Sequence, residues 1–197
     1  MPEVMLSNAD VSVAVSRRTA AMPYAYRNTD GDLLYFVHKG TGQFATEFGR
    51  LVYEPGDYVL IPKGITFSVM PDAGDSQMLV VESPAPLSLT EHQQVGRHMP
   101  VDPTVLVLPE LHDQHWPQRD EWELRVKHGG THSSIFYRNN PLVSVGWKGD
   151  LFPYKLNIRD IIPISSDRIH VAPSAWCTFQ ATGFVVITFV PQSRWRT

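Results

Sequence analysis

The sequence predicts an all-β fold, and three observations carry that prediction. Between residues 31 and 64, short apolar runs are separated by glycine-bearing turns at nearly even spacing. No window in this stretch repeats its apolar residues every three or four positions, which is the spacing a helix needs. The 197 residues also include 16 prolines and 13 glycines, so the chain is punctuated too often for long helices.

Taken in order, residues 11–16 (VSVAVS) alternate and predict a strand at a sheet edge. Asn28-Thr-Asp-Gly31 is a turn signal leading into the central meander. Residues 33–37 form the next run, Gly40 and Gly42 flank a turn, and residues 43–48 alternate polar with apolar. Gly49-Arg50 is a second turn and residues 51–53 a short strand. At Pro55-Gly56, proline presets φ at about −65° and glycine takes the left-handed place beside it. Residues 58–61 make another strand, ended by Pro62 and Gly64. Strands at 66–70 and 77–81 flank a turn at 71–75, and the first unit closes near Glu82.

Three parts follow from this: a unit over 1–82, an extended connection or strap over 83–109, and an opening portion of a second, incomplete unit over 110–197. Pro84, Pro86, Pro100 and Pro103 interrupt the connection, which leaves room for one short helix or turn at 87–94. In the last part, Gly129-Gly130 predicts a hairpin between strands at 124–127 and 131–137. Further strands are expected at 141–145, 157–164, 176–179 and 184–190. The last is the most apolar, and a strand of that kind needs cover on both faces. Little chain follows it, so the expected cover is residues beyond Thr197 or another chain.

Composition narrows the function. The balance of 17 basic against 20 acidic residues gives a net charge of −3, without the basic stripe of a duplex binder, so no nucleic-acid partner is expected. Arg194-Trp195-Arg196 is the nearest candidate for such a stripe. A single cysteine, Cys177, rules out an internal disulfide framework and fits a reducing compartment. The first thirty residues lack both a signal-peptide core and a membrane-length apolar run, so the expectation is a cytoplasmic protein with no membrane partner. There is no Walker loop, dinucleotide fingerprint, serine-nucleophile elbow or CxxC pair.

Eight histidines supply the candidate chemistry. His112 and His115 lie near Asp113, Asp120, Glu121 and Glu123, a set that could ligate iron or zinc, although in a loop the spacing fixes little and a solvated polar passage is favoured. His128 and His132 would align on a helix, but the intervening glycines favour a hairpin with surface histidines. His38 ends an aromatic strand; Phe67 and Glu47 nearby supply too few ligands, so a structural role is favoured. His170 precedes Val-Ala-Pro-Ser174 and sits at a strand end near a proline-bearing turn. Its unperturbed pKa of about 6.5 suits movement of a phenolic proton, while a hydrogen-bonded rim histidine explains the same letters. Lys148, Tyr137 and Tyr154 are candidates for steering an anionic aromatic substrate. Cys177 reads as buried packing.

Several ordered strings then point one way. Asn28-Thr-Asp-Gly-Asp-Leu-Leu-Tyr35, Thr46-Glu-Phe-Gly49, Pro55-Gly-Asp-Tyr-Val-Leu-Ile-Pro62, Val145-Gly-Trp-Lys-Gly149 and Pro153-Tyr-Lys-Leu-Asn157 resemble strings of the homogentisate 1,2-dioxygenase family of the cupin superfamily. The resemblance runs from residue 28 to residue 191. It implies a cupin-type double-stranded β-helix, with one degenerate unit followed by the first strands of a second.

It also implies a nonhaem Fe(II) oxidoreductase that uses O2 to open the ring of homogentisate to maleylacetoacetate, in tyrosine and phenylalanine catabolism. By the same resemblance His170 is the catalytic acid or base near the substrate hydroxyl. The iron ligands, two histidines and a glutamate, fall beyond Thr197, so no residue of this chain is assigned to metal. Phe67 stands where a metal-binding cupin presents histidine. Implied partners are a small aromatic substrate, O2, a C-terminal complement from the same or another chain, and a homo-oligomer of trimers forming a hexamer. The competing expectation is a metal-free cupin used for binding or assembly, which Phe67 and the absent ligand triad motivate.

Overall fold

The computed structural model describes residues 2–72, 74–89, 102–110, 119–143, 149, 151–161 and 177–188. They form an all-β architecture. One six-stranded sheet has the order β1-β2-β9-β4-β7-β13, and a second has the order β12-β11-β3-β8-β5-β6. The first comprises β1 (Glu3–Ser7), β2 (Ser12–Arg18), β9 (Ser76–Ser83), β4 (Asp32–Lys39), β7 (Asp57–Ile61) and β13 (Tyr154–Asn157). The second comprises β12 (Thr131–Tyr137), β11 (Trp122–His128), β3 (Ala25–Asn28), β8 (Thr66–Pro71), β5 (Gly42–Thr46) and β6 (Gly49–Tyr53). Pairing is antiparallel except between β11 and β3, which run parallel with Leu124 opposite Ala25 and Lys127 opposite Asn28. Both sheets are therefore shared by strands before residue 83 and strands after residue 121. A small third sheet joins β10 (Ser88–Leu89), β14 (Cys177–Ala181) and β15 (Phe184–Ile187).

The two large sheets share one core. Leu33, Tyr35 and Val37 of β4 enter it from one side, as do Val59 and Ile61 of β7; Phe44, Tyr53 and Phe67 meet them from the other. Phe67 is completely buried, with edge-on contacts to Tyr26 and Tyr35 at centroid distances of 5.7 and 5.9 Å. The intervening residues Leu34, Tyr58 and Leu60 point the opposite way, into a second cluster with Leu87, Leu156, Ile161 and Phe179. Burial on both faces explains why residues 33–37 and 58–61 read as continuous apolar runs rather than as alternation.

Polar side chains tie these layers together. Asp57, fully buried at the start of β7, accepts hydrogen bonds from Lys155 Nζ at 2.9 Å, Asn157 Nδ2 at 2.8 Å and the Glu54 amide at 2.9 Å. Asp32 accepts from the amides of Lys63 at 2.7 Å and Leu87 at 2.8 Å, which pins the segment after β9 against the first sheet. Gly56 takes a φ of +94°, the left-handed turn position expected of it.

Several expectations need correction. The strand at 11–16 is internal, because β1, which the sequence pattern did not reveal, covers its outer edge. β3 is a further strand that the pattern does not show, since of its four residues only Tyr26 joins the shared core. Of the strand expected over 157–164, residues 162–164 lie outside the described residues, and 158–160 are not strand: Asn157 ends β13, and its side chain caps a 3-10 turn at Ile158–Asp160 by accepting from the Arg159 amide. Pro141 and Leu142 form a turn and Val143 is not in a strand. Ser88 and Leu89 are a strand, where a short helix or turn was allowed. The apolar last strand alternates: Phe184 and Val186 pack on the second cluster, while Val185 and Ile187 are 52% and 39% exposed. No helix among the described residues is long and apolar enough to cross a membrane.

Phe67→Ala removes the ring on which three aromatic neighbours pack. It is expected to cost about 3–5 kcal/mol in urea unfolding, whereas Val52→Ala, on the exposed side of β6, is expected to change stability by less than about 0.5 kcal/mol.

Candidate functional site

The alternation of β2 places Ser12, Ala14, Ser16 and Arg18 on the inward face at one end of the shared core. The first three are too small to reach the other sheet. Tyr24 and Tyr26 approach from beside and within β3, Tyr35 comes from β4, and the gap left between large and small side chains is a cavity of about 110 Å³. Its apolar lining includes Met22, Leu33, Val69 and Val80.

One wall is polar and already bonded. Lys127 donates to both oxygens of Glu82, at 2.6 and 2.7 Å, and Asn28 Nδ2 donates to the same carboxylate at 2.8 Å. Lys127 and Asn28 are register partners on the parallel strands β11 and β3, so the backbone pairing aligns the two donors. Opposite Lys127 on β12 is His132, whose Nε2 lies 3.4 Å from the Tyr26 hydroxyl.

Electrostatics favour the neutral forms of Tyr26, Tyr35 and His132 near neutral pH. Desolvation raises the Tyr26 phenol well above its ordinary value, and the nearby Glu82 carboxylate adds to the rise. Desolvation raises Tyr35 as well, with Tyr26 a smaller cause. His132 is held below its ordinary value, first by desolvation and then by the Lys127 ammonium, which favours the neutral ring beside the Tyr26 hydroxyl. The phenols are donors here rather than bases.

The hairpin that carries Lys127 and His132 is clamped from outside. Gly129 and Gly130 take φ values of 58° and 74°, as a tight turn between β11 and β12 requires. Their amides donate to Asp30 at 2.7 and 2.8 Å. Desolvation works against the Asp30 carboxylate, but these two donors outweigh it and hold the group below its usual pKa. Tyr24 is fixed in turn by the Arg125 guanidinium, 3.8 Å above its ring.

The sequence-predicted residues fall elsewhere. His170, His112, His115 and Lys148 lie outside the described residues. His38 is exposed at the end of β4. His128 is in the predicted hairpin, with Nδ1 3.0 Å from Thr29 Oγ1. His132, expected as a surface histidine, is exposed but also stacks at a tilt on Tyr26 with centroids 6.0 Å apart. Tyr137 is exposed on β12, and Tyr154 is partly buried, its phenol pushed up to about 12 by desolvation. Cys177 is buried, its thiol 3.4 Å from the Phe179 carbonyl. Sequence reasoning missed Arg18, Tyr26 and Tyr35; the available signal was the two-residue spacing of small side chains up to Arg18.

Among the described residues no group of three histidine, cysteine, aspartate or glutamate side chains could hold a metal ion. The fully buried ring of Phe67 fills the position at which the resemblance places a ligating histidine in metal-binding relatives. The described residues therefore do not fit Fe(II).

Comparison with known proteins defines the family. Residues 5–158 match the model described as homogentisate 1,2-dioxygenase N-terminal, and the chain belongs to that family. A Saccharolobus solfataricus protein is 31% identical over 171 residues, 85% of this chain and 44% of that one. The homogentisate 1,2-dioxygenase of Rhodopseudomonas palustris is 31% identical over 168 residues, 83% of this chain and 37% of the relative. That of Pseudomonas putida is 30% identical over 152 residues, 77% of this chain and 35% of the relative. The chain thus spans less than half the length of these curated relatives. Among solved structures, a cupin-2 domain containing protein from Shewanella frigidimarina aligns with a TM-score of 0.38 and 20% identity, covering 42% of this chain and 79% of that one.

Because the Asp30 pKa is depressed on folding, its clamp acts fully above the unfolded value of about 3.9 and is lost as pH falls through the lower folded value. Hydrogen exchange at the Gly129 and Gly130 amides is expected to show protection that is flat from neutral pH to about 5 and collapses below about 3.9. Asp30→Asn is expected to speed that exchange already at neutral pH.

Proposed function

We propose that this chain is the N-terminal portion of a homogentisate 1,2-dioxygenase-like enzyme, one that opens the ring of homogentisate with O2 to give maleylacetoacetate. The observation that carries the reading is the family match across residues 5–158, which includes the layered core and the cavity. In this reading the strands of residues 1–82 are a degenerate cupin unit, closed as a double-stranded β-helix, with β11, β12 and β13 added at the edges of its two sheets, and the strap at 83–109 follows. The strands of 110–197 open a second unit. The enzyme works in the cytoplasm as trimers paired into a hexamer.

The Fe(II) that such an enzyme uses would bind substrate and O2, and its ligands come from a C-terminal complement in the same or another chain. The exposed Val185 and Ile187 on the apolar strand β15 support that complement, since they leave an apolar sheet face to be covered. This chain contributes His170, which holds and moves a proton at the substrate hydroxyl.

A second reading, a metal-free cupin that serves binding or assembly, is favoured by one observation: Phe67 fills the interior where a ligand would be needed. It differs from the first in predicting neither bound iron nor oxygen uptake when the C-terminal complement is supplied.

The two are separated by co-expressing the chain with the C-terminal portion of the Rhodopseudomonas palustris relative, then measuring iron content, oxygen uptake and maleylacetoacetate. Iron-loaded, oxygen-dependent turnover is expected. His170→Ala in that assembly should keep its iron and lose roughly 10²–10⁴-fold in rate, the usual contribution of a positioned acid or base. Unchanged turnover would remove the proton role, and loss of iron would make His170 a ligand instead.

A further inference from the structure

The cavity beside Tyr26 contains more hydrogen-bond donors than the protein uses. Tyr35 is only 5% exposed, yet it lines the cavity, and among the described residues its hydroxyl has no hydrogen-bond partner. That oxygen is open to the cavity rather than sealed in the core, so it is available to whatever enters. The hydroxyl lies within the electrostatic reach of Arg18, Tyr26 and Glu82. Arg18 lines the same cavity and has no ion pair among the described residues, while Lys127 is committed to Glu82. The contact from the Tyr26 hydroxyl to His132, at 3.4 Å, is long for a hydrogen bond and easily exchanged for a better acceptor.

These groups define a ligand by charge, shape and size. One unpaired guanidinium and two neutral phenols are all donors, so they select an acceptor with a single negative charge; the Glu82 carboxylate on the far wall disfavours a dianion. Guanidinium geometry matches a carboxylate through two parallel hydrogen bonds. Val80, Leu33 and Met22 provide an apolar remainder for a short alkyl group. The volume of about 110 Å³ is several times the ~30 Å³ share of one water and below the ~150 Å³ cavity that accepts benzene.

We infer that this cavity binds a short-chain monocarboxylate of about four to six non-hydrogen atoms, with its carboxylate on Arg18 and the Tyr35 and Tyr26 hydroxyls. The lining belongs entirely to this chain, so the site does not depend on the iron-bearing complement. It also gives a role to a region whose metal position is occupied by Phe67.

The test is titration of the full chain with propionate, followed by the Tyr26 ring resonances in NMR spectra. Two controls accompany it: 1-propanol, which keeps the alkyl chain without the charge, and inorganic phosphate, which carries charge without the alkyl chain. Saturable shifts at millimolar propionate are expected, with neither control reproducing them. Arg18→Gln and Tyr35→Phe are each expected to weaken propionate at least fivefold. Tyr35→Phe removes only one oxygen, so it decides the matter if Arg18→Gln does not fold. The inference is overturned by an absence of saturable shifts with propionate, by equal shifts with either control, or by unweakened binding in Tyr35→Phe.

Discussion

Contact between Phe67 and its aromatic neighbours is what the rest of the molecule is arranged around. Tyr26 and Tyr35 meet its ring edge-on, and Phe44 stands 6.1 Å away at a shallower angle. These side chains come from four strands on two sheets, so a single cluster fixes both the separation of the sheets and their lateral alignment. Rings of this size fill that space densely, and packed interiors tolerate little change of volume. Where the partners across the gap are instead serine and alanine on β2, the same spacing leaves a cavity. Core and cavity are thus two results of one sheet separation.

The family strings are the tethers of this framework. Asp57, in the string that begins at Pro55, accepts from Lys155 and Asn157 of the string that begins at Pro153. In the string beginning at Asn28, Asn28 donates to Glu82, Asp30 holds the Gly129-Gly130 turn and Asp32 holds Leu87. Thr46 donates to the Gly49 carbonyl at 2.7 Å, closing the turn at its own string. Apart from the Thr46 turn, each contact joins polar groups far apart in sequence, and deleting one partner would remove that tie. Matches at these positions therefore identify the family more directly than they identify a catalytic residue.

Register decided what the histidines do. Two that the sequence placed side by side in one hairpin have different surroundings: His128 touches Thr29 at the turn, whereas His132, one register step in, shares Tyr26 with the cavity. Lys127 is opposite His132 and lowers its basicity while bonding Glu82. A polar wall of this kind, with its acid, base and ammonium already satisfied, presents fixed dipoles to whatever enters rather than a group ready to exchange protons. That property matches a binding cavity.

Local pattern by itself determined the strand class and most turns, because alternation and glycine placement act over a few residues, while the two-face burial of residues 33–37 and 58–61 came from the tertiary packing. Local pattern also determined the family, through polar residues whose spacing survives as strings. It did not reveal β1, β3 or the end of β13, since the first is wholly exposed, the second is short and the third is terminated by the Asn157 cap. Tertiary structure alone decided that Arg18, Tyr26 and Tyr35 share one space. They are on β2, β3 and β4, and only the pairing of β2 with β9 and β9 with β4, facing β3 across the core, brings them together. A cavity is a difference in side-chain volume between facing sheets, and no single strand contains that difference.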